Sequence, residues 1–479
     1  MEGIIALDVG TTHIKAVLFK EDGEELWKKK IPTPLEHDQW GTVYRPEVIW
    51  GIVRSMLLEA CDGQADISVT GIAVTGMAEA GLAVDRITGR EISDIIPWFD
   101  RRSTAFVGQE EVFERTGLRN SYKYGIYKFL WVLDHSLADR QRTVWLSVCD
   151  YIVYKLTGAF VTEPGFAART YLYDITRGCW DEARMAAFGL KKENFPCVKA
   201  SGETAGIWEE RKIPVALAGH DHVCAAFAML YEDSGRICDS AGTSETYIGL
   251  AGKSAIGFRP EDGLQYGPFG DKKWYYMANI PSSGHSLEWY RKKLQLTELS
   301  YEELNRNLEE LPEGPTGILY FPWLTGSGSP YYEASMQGAL LGLREEHSGL
   351  DIMKGIIEGI QYQGALLLDR IEKVQDVQIG EVVCGGGAVN NHALMQMKAD
   401  ILGREVLVPA CRETTALGAA AVFLEQDRGR DAVKRFLQKP MGMEKAYLPK
   451  RGNREEYEKI LVKSFLPMAE MLREFMTHK

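Results

Sequence analysis

The sequence predicts an α/β protein of two related lobes around a shared cleft, and three features carry that expectation. Strand-like and helix-like runs alternate along the chain, which favours an α/β arrangement over a sandwich or a bundle. An Asp leading into a Gly-Thr pair occurs twice, as Asp8-Val9-Gly10-Thr11-Thr12 and as Asp239-Ser240-Ala241-Gly242-Thr243-Ser244, about half a chain apart. The length of 479 residues exceeds one ordinary core and allows two or three domains. No linker rich in Pro or Ser separates the halves. The lobes, 1–245 and 246–479, are therefore expected to pack together around a hinge.

The elements follow in order. Ile4 to Leu7 and Ile14 to Phe19 read as strands joined through the first Gly-Thr turn, and Glu21-Asp22-Gly23-Glu24 turns into a third strand. An amphipathic helix is expected over Pro46 to Ala60, then a strand over Ser68 to Val74 ending in a glycine-rich loop, Gly76 to Gly81. Val215 to Ala218 and Val223 to Leu230 are apolar runs on either side of Gly219-His220-Asp221-His222. In the second half, Glu381 to Gly403 reads as strand, Gly385-Gly386-Gly387 loop and helix. A further helix rich in small residues begins near Thr415. The tail from Glu455 to Lys479 is an amphipathic helix with Ile460, Leu461, Phe465, Met468 and Leu472 on one face.

Composition narrows the function classes. Apolar residues make up 45% and charged residues 25%, and the formal charge is −12. That balance argues against wrapping nucleic acid or lying on anionic lipid, and favours a small-molecule role. The first residues lack a secretory signal, no run is long enough to span a membrane, and the eight cysteines are scattered singly. A cytoplasmic protein with free thiols is the expectation. A homodimer is left open.

Tight turns bearing Gly and Thr present several N–H groups and hydroxyls to one point, a cradle for phosphate oxygens. Asp8 beside that cradle can hold Mg²⁺, which prefers oxygen ligands and keeps several waters. A hairpin turn with a capping Asp is the plainer alternative, and the second turn weakens it. Asp221, at a strand end, is either a general base or the cap of the next helix. His220 and His222 show no third metal ligand. Trp98-Phe99-Asp100-Arg101-Arg102 offers an aromatic plate, a carboxylate and cations, suited to a sugar or equally to a structural salt bridge.

These motifs, in this order, resemble the FGGY carbohydrate kinases within the larger actin-like and sugar-kinase ATPase group. Asp8-x-Gly10-Thr11-Thr12 resembles the first phosphate loop with Lys15 as its basic residue, and Trp98-x-Asp100-x-Arg102 the sugar-contacting segment. Asp150-Tyr151 through Gly158, with Arg169-Thr170, resembles the middle stretch. Gly219-His220-Asp221 is similar to the segment with the catalytic Asp, and Gly242-Thr243-Ser244 to the second phosphate loop. Gly284 resembles a nucleotide-contacting glycine; Gly386-Gly387 with Asn391 resembles the adenosine segment; Glu413-Thr414-Thr415-Ala416 opens a specific closing motif. The resemblance implies two ribonuclease H-like (actin-like ATPase) lobes, ATP and Mg²⁺, a small sugar or polyol acceptor, and Asp221 as base. It places Met77, Glu79, Trp98, Asp100, Arg102 and His222 at the acceptor. Departures are Gly125, Gly355, Glu333, Gln337 and the loop Gly76-Met77-Ala78-Glu79. That loop has neither the Arg-Glu of glycerol kinases nor the Met-His-Gly of xylulokinases, which argues against glycerol as acceptor. A nucleotide-binding sensor, or a degenerate kinase suggested by Glu333 and Gln337, is the rival reading.

Overall fold

The computed structural model describes all residues except 64–65, 232–234, 253–258, 271–272, 294–299 and 478–479. The first sheet holds β1 (Glu2–Val9), β2 (His13–Lys20), β3 (Glu25–Pro32), β4 (Ser68–Gly76), β5 (Thr204–Trp208) and β6 (Ile213–His220), in the order β5-β6-β4-β1-β2-β3. The second holds β7 (Arg236–Ala241), β8 (Glu245–Gly252), β9 (Gln265–Phe269), β10 (Lys273–Ile280), β11 (Glu381–Gly385), β12 (Glu405–Pro409) and β13 (Met443–Tyr447), in the order β9-β10-β8-β7-β11-β12-β13.

The two sheets share a plan. β1 runs antiparallel to β2 and parallel to β4, which is parallel to β6. β7 runs antiparallel to β8 and parallel to β11, which is parallel to β12. The repeated Asp-to-Gly-Thr string therefore marks a repeated topology. Its second copy links β7 to β8 in one hairpin, so a division near residue 245 falls inside a paired unit. The chain passes from one sheet to the other between Leu230 and Arg236, because the hydrogen bonds of Arg236 onward go to β11.

Six helices frame the cleft and its surroundings: α1 (Pro46–Asp62), α2 (Asp221–Leu230), α3 (Gly284–Lys293), α4 (Gly349–Gln375), α5 (His392–Leu402) and α6 (Thr414–Arg428). α1 has Pro at its N-terminal turn and buries Ile49, Val53, Met56 and Ala60, the spacing of one helical face. α2 and α6 differ. Every residue from Val223 to Leu230 and from Ala416 to Leu424 is buried, as expected of helices covered on all sides.

They are covered because they lie between the sheets. α2 leaves the last strand of the first sheet and packs on β7 and β8, whereas α6 follows β12 and packs on β1 and β4. One apolar cluster thus contains Ile4, Val17 and Phe19 from one lobe and Cys238, Ile248 and Met277 from the other. The crossing is close because α6 carries small residues there: a Cβ on Gly418 would stand 1.8 Å from the Cys224 carbonyl oxygen. Phe423 likewise lies over Gly71 of β4, where a Cβ would come within 2.2 Å of its ring.

Between β4 and β5 the chain builds an insert with its own aromatic core, including Tyr124, Tyr127, Trp145, Tyr171 and Trp180. This insert supplies one wall of the cleft. The tail forms helix over Arg451–Ile460 and Leu466–Thr477, and its Phe465 stacks on Phe321 at 4.7 Å. Residues 478–479 of the expected tail helix lie outside the described residues.

Overpacking of a filled interior costs about 1–3 kcal/mol and more where backbone must shift. Gly418→Ala is expected to lower the urea midpoint with loss of at least that stability, whereas Gly452→Ala, in a helix where a Cβ meets nothing within 4 Å, should raise it by about 0.5–1 kcal/mol of stability.

Candidate active site

In register, Asp8 of β1 and Gly219 of β6 both pair with Thr75 of β4, and Val9 and His220 both pair with Gly76. Three parallel strands therefore end side by side and deliver Asp8, the Gly76 loop and Asp221 to one edge, the end of an α/β sheet where ligands bind. Gly76 is required by close approach, since a Cβ there would lie 2.4 Å from the Val9 carbonyl oxygen.

The two Gly-Thr turns close alike. Gly10 donates its N–H to the His13 carbonyl at 3.1 Å, and Gly242 donates to the Ser244 carbonyl at 2.9 Å. Gly284, the first residue of α3, donates to the Gly242 carbonyl at 3.2 Å, and His285 donates to that of Thr243 at 3.0 Å. A Cβ on Gly284 would stand 2.4 Å from the Gly242 oxygen, and one on Gly386 the same distance from the Ala241 oxygen. Glycine at these places lets three backbone segments collapse around the second turn. Gly387 instead borders open space.

Two carboxyls share the cleft. Burial, with the negative charge of Asp221 second, pushes Asp8 up to about 7. Its Oδ1 is buried without a hydrogen-bond partner, the kind of orphan oxygen that a cation satisfies. Among the described residues no group of three or more His, Cys, Asp or Glu side chains surrounds a metal position. Burial also raises Asp221, opposed by His222 and its N–H at 2.6 Å and reinforced by Glu79. His220 Nε2 stands 3.1 Å from Asp221 Oδ1, and burial holds that imidazole well below its usual range, hence neutral. His222 Nδ1 meets Ser240 Oγ of β7 at 3.1 Å, tying the base-bearing helix to the other lobe.

The residues expected at the acceptor lie on the insert. Trp98 donates its indole N–H to Thr11 Oγ1 at 3.0 Å, so the aromatic plate is fastened to the first turn. Met77 is buried behind it, with its sulfur 3.8 Å from the same hydroxyl. Glu79 pairs with Arg169 at 3.0 Å, and Arg169 reaches the other lobe through Gln265 at 3.2 Å and the Tyr275 hydroxyl at 3.0 Å.

Several expected site residues have other partners. Asp100 accepts from Arg102 Nε at 2.8 Å, from the Arg102 N–H at 2.9 Å and from the Thr42 N–H at 2.7 Å. Arg102 also grips Asp38 at 2.8 Å, and its side chain is 2% exposed. Their hydrogen-bonding capacity is spent inside the wall, so they hold the Trp98 loop and do not face a ligand. Lys15 is paired with Glu413 at 3.1 Å, across the lobes, and Lys28 adds a second cation at 3.5 Å. Burial works against the Glu413 charge, but Lys15 and Lys28 outweigh it. Asn391 caps α5, accepting the Leu394 N–H at 2.9 Å. Thr12 is exposed at the first turn. The sequence assigns no role to Glu413 or Ser240, although each lies in a quoted motif, the closing segment and the second Gly-Thr string.

Two sheets of one topology with helices exchanged between them define a two-lobed protein of the actin-like ATPase fold. The description "FGGY family of carbohydrate kinases, N-terminal domain" matches residues 3–228, and its C-terminal counterpart matches 239–424. Glycerol kinase of Azotobacter vinelandii is 31% identical over 445 residues, covering 87% of each chain. Glycerol kinase of Shewanella piezotolerans is 30% identical over 443 residues, 87% of this chain and 89% of that one. Ligand-bound xylulose kinase from Lactobacillus acidophilus shares the fold with a TM-score of 0.89 at 18% identity over 100% of both chains. Plasmodium falciparum glycerol kinase with ADP gives 0.87 at 20% identity, over 97% of this chain and 98% of that one. The chain belongs to the FGGY family of carbohydrate kinases. No helix among the described residues is long and apolar enough to cross a membrane.

Asp8 titrates near 7 when folded, against an ordinary 3.8. A carboxyl raised in this way contributes stability below its unfolded pKa and loses it as pH rises through about 7. Asp8→Asn is therefore expected to raise the melting temperature of the nucleotide-free protein at pH 8 by roughly 2–4 °C or more. The gain should vanish towards pH 4; a melting temperature lowered at pH 8 would contradict the assignment.

Proposed function

We propose that this kinase transfers the γ-phosphoryl group of ATP to a hydroxyl of a small sugar, a ketose such as a pentulose, or of a related polyol or aldonate. The placement of Asp221 carries the reading. It sits where β6 ends, beside Asp8, with Glu79 and Arg169 near enough to bear on its titration. A carboxyl that burial makes more basic than usual, in its ionised form, can accept a hydroxyl proton as that oxygen attacks in line.

The chain's own groups divide the remaining work. Backbone N–H groups and hydroxyls of Gly10, Thr11 and Thr12, and of Gly242, Thr243 and Ser244, bind phosphate oxygens from two sides. Asp8 would hold Mg²⁺, which supplies neutralisation of phosphate charge. Lys15 keeps a cation by the first turn while Glu413 fixes its position. Gly284 and Gly386 shape the second turn, and Gly387 with Asn391 borders the space for the nucleoside. Neutral His220 stands beside Asp221, its Nε2 3.1 Å from Oδ1. Trp98, Glu79 and His222 line the acceptor, and lobe closure excludes water, the competing acceptor.

A sensor without transfer has less support. Glu333 and Gln337, the departures that suggest degeneracy, are exposed, and Gln337 contacts Met476 of the tail.

Asp221→Asn should lower kcat by about 10³-fold, within the range for a general base, while ATP affinity stays within a few-fold. ADP release coupled to a sugar and polyol panel measures the first and calorimetry the second. In the parent enzyme, kcat/KM should fall with decreasing pH at a midpoint above the ordinary carboxylate range, because Asp221 is raised by burial. Near-normal turnover of Asp221→Asn, or sugar-independent hydrolysis alone, would overturn the reading.

A further inference from the structure

A small cavity in the insert lies behind the Glu79–Arg169 pair, and no step of the transfer accounts for it. It offers about 10 Å³ to the centre of a water-sized sphere, close to the room of one water. Glu79, Trp145, Ser147, Asp150, Thr162 and Arg169 are among the residues that line it.

Two of these side chains bring an unmatched polar atom. Arg169 is 4% exposed. Its Nη1 donates to Glu79 at 3.0 Å and to Gln265 at 3.2 Å, and its Nη2 to the Tyr275 hydroxyl at 3.0 Å. The Nε–H is left without a partner among the described residues. Asp150 is 3% exposed, and its Oδ2 accepts the Ser147 N–H at 3.0 Å in the capping box of the helix Val148–Thr157. Its Oδ1 is the atom left over. One orphan is a donor and the other an acceptor, and each is costly to bury unmatched. Burial also pushes the Asp150 carboxyl up to about 7, opposed by Ser147 and Thr162. A water satisfies both atoms at once, accepting from Arg169 Nε and donating to Asp150 Oδ1.

We propose that one buried water in this cavity joins Asp150 to Arg169, making Asp150 a positioning residue for Glu79 at the acceptor. Its effect on turnover rests on the kinase reading under Proposed function. A guanidinium is planar, so an anchor on Nε fixes the turn of the whole fork. That fork holds Glu79, three residues beyond Gly76, at the sheet edge where β6 delivers Asp221. The same fork ties the insert to Gln265 and Tyr275 of the other lobe. Asp150 thus sets the angle of a group that it does not touch.

A crystal structure of the parent protein that defines ordered water should show one within about 3.2 Å of both Asp150 Oδ1 and Arg169 Nε. Asp150→Asn can keep its side-chain oxygen on the Ser147 N–H, so that the cap survives while the amide N–H faces the water. The water then meets two donors, and the guanidinium should turn away from Glu79 in the variant's structure. On the best acceptor of the sugar and polyol panel, KM should rise about 10-fold, with KM for ATP within about twofold. Adding Glu79→Gln should raise the acceptor KM no further than the larger single effect, because both changes act through one contact. Ser147→Ala loses the same cap, since its hydroxyl accepts the Asp150 N–H at 3.1 Å. It should lower the melting temperature and leave the acceptor KM unchanged. Absence of the bridging water, an unmoved Arg169 or an unchanged acceptor KM in Asp150→Asn contradicts the proposal. So do independent, multiplying effects with Glu79→Gln, or an equal KM rise from Ser147→Ala. No turnover on any sugar or polyol sinks the kinase reading alone, and the bridge with a displaced Arg169 still supports this inference. A missing bridge with sugar turnover intact does the reverse.

Discussion

The crossing of α2 and α6 is the constraint on which the rest depends. Each helix leaves the last parallel strand of one sheet and packs on the other, and they touch where Gly418 faces the Cys224 carbonyl. Asp221 opens one of these helices and Glu413 precedes the other. A single packing contact therefore fixes Asp221 at the end of the first sheet and Glu413, the partner of Lys15, at the end of the second. Both helices are buried on all sides, so the two lobes share one apolar interior at the crossing. Polar ties join the lobes as well: His222 to Ser240, Arg169 to Gln265 and Tyr275, and Lys15 to Glu413.

The second turn has its own foundation. Lys398, fully buried, donates to Asp239 and to Glu245, the residues at the two ends of the β7–β8 turn, at 2.9 Å for Glu245. Both carboxylates together raise the Lys398 ammonium above its usual range against the effect of burial. Tyr247 and Ser283 complete the hydrogen bonds of Glu245 at 2.7 and 2.9 Å. Breaking such a network leaves an uncompensated buried charge, so it holds the turn firmly. The first turn has no equivalent; it is held by Thr33, whose hydroxyl donates to the Gly10 carbonyl at 2.8 Å, and by Trp98. One loop is rigid from beneath, and the other is braced by the acceptor wall itself.

Local chemistry was legible in the sequence. The Gly-Thr turns, the Pro-led α1 and Asp221 at the end of an apolar run declare themselves within a few residues, because turns, caps and strand ends are short-range devices. Pairings across distance were not. Glu79 meets Arg169 ninety positions away, and Lys15 meets Glu413 across most of the chain. Asp100 and Arg102 misled because a carboxylate and a cation beside a Trp look like a sugar site, and nothing nearby showed that Asp38 and Thr42 would consume them. The family departures Gly125 and Gly355 have packing causes, since a Cβ would meet Trp145 Nε1 at 2.7 Å and Ile318 at 2.8 Å respectively.

The central claim is that the helix crossing brings both Gly-Thr turns and Asp221 to one phosphoryl group. A crystal structure with Mg²⁺, a non-hydrolysable ATP analogue and an acceptor would test it most directly. The terminal phosphate is expected between the turns at 10–12 and 242–244, with Asp8 on the metal shell and an acceptor hydroxyl within hydrogen-bond reach of Asp221. A nucleotide bound with its terminal phosphate remote from either turn, or an acceptor hydroxyl that Asp221 cannot reach in the closed state, would contradict it.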